Sequence, residues 1–155
     1  MPWDLVIVHP NGHRLGRPNE VKAMLARAWP QVQWQILPPL LERIKNQPDN
    51  PFHALIPTWS AEMRQRAALP RTVGALEEEL CSFEIFGIDE DPVQNLDVEV
   101  RGRGNPIPTL LRLQSLLRWS IRELATGRFL DEREAQNRWT EFTKNQDAAI
   151  DQAKQ

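Results

Sequence analysis

The chain has no tyrosine, a single cysteine and no uninterrupted apolar run longer than four residues. One cysteine, Cys81, rules out an internal disulfide and a Cys-rich zinc site, and with them a stapled secreted scaffold. The first ten residues carry no basic segment, and the run Leu5-Val6-Ile7-Val8 is too short for a signal peptide or a membrane span. The expected compartment is therefore the reducing cytoplasm, with no membrane partner. Also missing are a Gly-x-Ser-x-Gly elbow, a P-loop, a zincin helix and an EF-hand loop. Those absences point away from an enzyme and imply no cofactor.

What is present is an ordinary soluble composition. The 155 residues, 41% hydrophobic and 26% charged, suit one domain spanning 1–155, with an α/β core over 1–130 and a terminal helix over 131–155. Thirteen prolines divide the chain into short elements. Trp3 to His9 reads as a buried strand closed by the turn residues Pro10-Asn11-Gly12-His13. Pro18 suits the first position of a helix, along which Val21, Met24, Leu25 and Ala28 recur at helical spacing. Val32, Trp34 and Ile36 alternate as a strand until Pro38-Pro39. Short helices are expected at Leu40 to Lys45 and near Ser60 to Leu69.

Cys81, Phe83 and Ile85, then Leu96, Val98 and Val100, alternate with polar residues as two half-buried strands joined by a turn over Gly87 to Asn95. Leu110, Leu113 and Leu117 form an apolar helical stripe, with Asn105 or Thr109 as its cap. Trp119 to Leu124 reads as a strand and Arg128-Phe129-Leu130 as a short return strand. Asp131 opens a polar helix in which Ala135, Trp139, Phe142, Gln146 and Ala149 recur at three and four. The expected fold class is α+β: a mixed or mostly antiparallel sheet with helices on one face, a ferredoxin-like variant with a long C-terminal helix.

Charge is segregated along the chain. Residues 72–100 hold nine acidic side chains and no basic one, whereas residues 101–128 hold six arginines and a single acid. Like charges crowded in one hairpin repel unless something basic faces them. Either the arginines neutralise them within the fold, or Glu84, Asp89, Glu90, Asp91, Asp97 and Glu99 are presented to a basic protein partner. An acidic face, with a pI near 5.9, disfavours nucleic acid.

A second candidate is the loop Arg101-Gly102-Arg103-Gly104-Asn105, which leaves a strand and enters a helix, where backbone amides and arginines hold anions. Its plainer explanation is a tight turn that needs glycine. His9 and His13 are four apart, but Pro10 and Gly12 between them deny a shared helical face, so with His53 they make no expected metal site. Cys81 shares the apolar parity of its strand and reads as an unreactive thiol. Trp139 and Phe142 stand out on a polar helix, which either docks on the sheet or pairs with another copy to make a homo-oligomer.

The stretch Val98-Glu99-Val100-Arg101-Gly102-Arg103-Gly104-Asn105-Pro106, then Trp119, then Thr126-Gly127-Arg128-Phe129-Leu130-Asp131, resembles a pattern in small uncharacterised bacterial α/β domains. Arg128 departs from it, standing where an acidic residue is expected. Such domains are similar in style to immunity proteins of bacterial toxin systems, a resemblance that implies a protein partner and supplies no catalytic residue. The leading expectation is a non-catalytic module whose acidic hairpin binds a basic protein, as a toxin-neutralising immunity protein does. The competing class is a small-anion or phosphate-binding domain, or an enzyme, centred on Arg101 to Asn105.

Overall fold

The computed structural model describes the backbone of residues 2–154 and the side chains of residues 2–150 and 152. The element order is β1 (Trp3–Val8), α1 (Pro18–Ala28), β2 (Gln33–Leu37), α2 (Leu40–Lys45), α3 (Ala61–Ala67), β3 (Arg71–Glu78), β4 (Cys81–Phe86), β5 (Leu96–Gly102), α4 (Ile107–Leu117), β6 (Ser120–Glu123) and α5 (Ala135–Lys154). Two short 3₁₀ turns, Pro51–Ala54 and Ile56–Thr58, join α2 to α3. The class is α+β. Six strands form one sheet, ordered β2-β3-β4-β5-β1-β6, and every neighbouring pair is antiparallel.

Two crossovers shape this sheet. The unit β1-α1-β2 spans β5, β4 and β3, and the unit β5-α4-β6 spans β1. That is the interlocked pair of split β-α-β units of a ferredoxin-like sheet, widened here by the β3–β4 hairpin. β3 has no counterpart in the sequence reading, because Gly74, Ala75 and the closing glutamates dilute its alternation. Gly74 is there for Trp34, which lies across it from the neighbouring strand: a Cβ would stand 2.8 Å from Trp34 Cζ3. The expected return strand at Arg128-Phe129-Leu130 contributes a single bridge, Arg122 to Phe129. The terminal helix begins at Ala135, four residues after Asp131, whose side chain accepts from the Arg133 amide.

One sheet face is apolar. Trp3, Leu5, Ile7, Phe83, Ile85, Leu96, Val98, Val100 and Ile121 are all buried there against Val21 and Leu25 of α1, Leu110 and Leu113 of α4, and Ala135 and Trp139 of α5. The Trp139 question resolves toward docking. Its ring lies 5.6 Å from Trp3 and 6.0 Å from Phe142, and Phe142 lies 5.9 Å from Trp3, so the helix closes over the β1 end of the sheet.

Glu123 is the buried charged side chain among the described residues. Its carboxylate accepts the Trp3 indole N–H at 2.7 Å and the Thr126 hydroxyl at 2.6 Å, and the Arg138 guanidinium of α5 stands 3.5 Å away. Removing one member of such a set leaves the others desolvated and unpaired. Glu123→Ala is therefore expected to cost about 3–5 kcal/mol, read as a lower urea midpoint. Glu123→Gln keeps an acceptor for the indole and should cost clearly less.

Candidate functional site

Strand alternation leaves the second face of the sheet free of α1, α4 and α5. In register across it, Glu84 of β4 stands opposite Glu99 of β5, and Glu99 stands opposite Asp4 of β1. In the adjacent row Phe86 faces Asp97, and Asp97 faces Val6, with Arg122 beyond. Four carboxylates from three neighbouring strands thus point the same way. Like charges directly opposed on antiparallel strands destabilise a sheet. Their repulsion is tolerated because the other side of those strands carries the core.

A depression of about 380 Å³ lies among them, lined by Asp4, Arg71, Phe86, Asp97, Glu99 and Leu124. Arg71 is its basic member, its guanidinium 4.8 Å from the centre of the Phe86 ring. The Asp97 carboxyl is pushed above the usual aspartate range. Withdrawal from water is the largest cause; Arg71 works against it, and the fields of Asp4 and Glu99 add to it.

The six acidic residues read from the sequence therefore fall in two places. Glu84, Asp97 and Glu99 belong to this face, whereas Asp89, Glu90 and Asp91 lie in the β4–β5 turn. That turn is anchored. Asp89 accepts the Thr72 amide at 2.7 Å, and Val93 exchanges backbone bonds with Leu15 and Gly16 at 2.8 and 2.7 Å. Glu77, Glu78 and Glu79, expected in the same hairpin, instead close β3. There they border a separate depression of about 490 Å³ with Trp29, Thr109 and Arg112, and the Thr109 hydroxyl donates to Glu78 at 2.7 Å. Among the described residues, one ion pair joins the block to the arginines that follow it, Arg101 to Glu99 at 3.1 Å. Sequence reading missed Asp4, Arg71 and Phe86. Asp4 had a signal, as the lone charge inside an apolar strand.

The loop Arg101 to Asn105 is shaped by its neighbours. Gly102 takes a left-handed φ of +105°, and a Cβ on it would collide with the Leu80 carbonyl. The Gly104 amide donates to that carbonyl at 2.8 Å. The N-cap of α4 is Pro106, not the expected Asn105 or Thr109; Asn105, one residue earlier, accepts the Ile107 amide at 3.1 Å and donates to Gln136 of α5 at 2.9 Å. Arg101 is held by Glu99, and Arg103 lines a depression of about 420 Å³ with Trp139 and Thr143. One loop amide is thus spent on the β3–β4 turn, with Glu79 close by.

The His9 and His13 rings lie edge to face at 5.2 Å, and His53 bonds the Gln47 carbonyl at 2.9 Å. Among the described residues no three His, Cys, Asp or Glu side chains gather as a metal ion would need. Cys81 is buried, and burial followed by the fields of Glu78 and Glu77 raises its thiol pKa, so little thiolate forms.

Asp97 carries a pH signature with a definite sign. A carboxyl whose pKa is raised in the folded protein binds more protons folded than unfolded, so its ionisation costs stability as pH climbs. Asp97→Asn should raise the urea midpoint at pH 7. The gain should disappear below about pH 3.8, the ordinary aspartate value, where both states are protonated. A gain independent of pH would show that the carboxylate charge is not its source.

Comparison of the chain with protein-family models, with curated proteins and with solved structures finds no match, and its function is read from its own residues.

Proposed function

We propose that the chain is a non-catalytic binding module whose open sheet face engages a basic protein partner. The observation that carries this reading is the in-register alignment of Asp4, Glu99 and Glu84, with Asp97 beside them, on the face free of α1, α4 and α5. A basic side chain seated there relieves the repulsion that the sheet otherwise bears. Long-range attraction to such a cluster raises the association rate and selects partners of opposite sign.

The depression supplies more than charge. Phe86 and the exposed Leu124 give apolar contact to the stem of an arginine or lysine, and the carboxylates receive its head. A cation beside Asp97 favours its ionised form, so binding is expected to release a proton near the upper end of that group's titration. Asp89, Glu90 and Asp91 extend the negative potential along the β4–β5 turn. Taken with the resemblance to immunity proteins, the partner class is a basic toxin domain held by its cationic surface. The loop Arg101 to Asn105 gains no comparable support as an anion site, since its glycines are accounted for by the Leu80 turn.

The test is affinity capture from the native host's lysate at low and at high salt, run in parallel with the triple variant Glu84→Gln, Asp97→Asn, Glu99→Gln. The expected result is a stoichiometric basic protein retained by the wild-type chain at low salt, lost at high salt and lost with the variant. A partner retained equally by both chains, or no basic partner at all, would overturn the reading.

A further inference from the structure

The two edges of the sheet are treated differently. At the β6 edge the chain returns over itself: the Glu123 amide donates to the Arg128 carbonyl at 2.8 Å and the Leu130 amide to Ile121 at 2.7 Å. That cover blocks further pairing. At the β2 edge nothing comparable exists. Among the described residues, Gln33–Leu37 makes its ladder with β3 and no other backbone bond.

An open edge is a template for another strand, and proteins guard such edges with charge, proline, bulges or cover. β2 has no such guard within it. Its sequence Gln33-Trp34-Gln35-Ile36-Leu37 is the one strand of the six without an ionisable side chain, and the prolines near it, Pro30, Pro38 and Pro39, all lie outside it. Ile36 is 72% exposed, among the most exposed large apolar residues described. The cation at this edge, Lys22, belongs to α1 and sits over the Trp34 ring at 5.4 Å.

We infer that β2 is a homodimerisation edge, pairing antiparallel with β2 of a second copy to make a continuous twelve-stranded sheet. Three features choose a second copy as the occupant. A two-fold contact sets each charge near its own duplicate, and β2 itself brings none to the pairing, the nearby Lys22 belonging to α1. Side-chain alternation requires paired residues to share a sheet face, so allowed registers shift by two. The register that pairs all five residues places Gln35 opposite the partner's Gln35 and Trp34 opposite the partner's Ile36, twice over. The exposed isoleucine then packs on an aromatic ring, a favourable cross-strand pair. A shift of two in one direction would push Pro38, which has no amide to donate, into the ladder.

The contact is small, so the expected Kd is on the order of 100 µM. Sedimentation velocity between roughly 10 and 500 µM brackets that value. The wild-type chain should pass from monomer to dimer across the range. Ile36→Lys, which installs a guard charge at an exposed site, should weaken the dimer at least tenfold with an unchanged circular dichroism spectrum.

A second readout fixes the register and does not depend on that variant folding. In the proposed pairing Gln35 meets its own copy at about 4.5–5.5 Å between Cα atoms, within disulfide reach. Gln35→Cys should therefore cross-link under mild oxidation. Gln33→Cys, four positions from its copy's paired residue, should not, and the native Cys81 is buried. A wild-type chain that stays monomeric throughout, a dimer undiminished by Ile36→Lys, or equal cross-linking of the two cysteine variants would overturn the inference.

Discussion

The buried carboxylate of Glu123 is the constraint on which the arrangement depends. A charge taken out of water is costly unless partners meet it from several sides. Here they come from three different parts of the chain: Trp3 at the start of β1, Thr126 in the turn after β6, and Arg138 on α5. Meeting that requirement fixes the position of β6 beside β1 and brings the terminal helix down over the same end. The aromatic contacts of Trp3 with Trp139 and Phe142 complete the closure. One polar group thus gives directional specificity to a layer whose other contacts are apolar and less particular about geometry.

Once α1, α4 and α5 occupy one face, the other can be charged. The strands β4, β5 and β1 are interior to the sheet and hold their places through Phe83, Ile85, Val98 and Leu5 on the covered side. Each can therefore present a carboxylate outward without losing its pairing. A row of acids across interior strands is strained electrostatically but not structurally. Arg71 compensates in part, reaching the acidic rows from the start of β3.

The edges follow a related logic. Strand pairing saturates backbone groups for β3, β4, β5 and β1 on both sides, leaving the outer rows of β2 and β6. The turn at Thr126-Gly127 folds the chain back to cover β6. After β2, Pro38 and Pro39 lead the chain away into α2, so no return segment protects it. An acidic face and an uncharged edge thus lie on one sheet.

Much of the fold was legible from local periodicity. The alternation of Cys81, Phe83 and Ile85 and of Leu96, Val98 and Val100, the helical stripe from Val21 to Ala28, and the three-and-four spacing of Ala135, Trp139 and Phe142 each reflect one element's own geometry, and the structure agrees. β3 was not legible, because Gly74 serves the Trp34 ring of another strand rather than its own alternation. Of the candidate site, the outward parity of Glu84, Asp97 and Glu99 could be read, while the place of Asp4 beside Glu99 could not. By itself the sequence determined which residues turn inward, since that depends on spacing along the chain. Only the tertiary structure decided which outward residues meet, because antiparallel register joins positions about ninety apart and no local period encodes it.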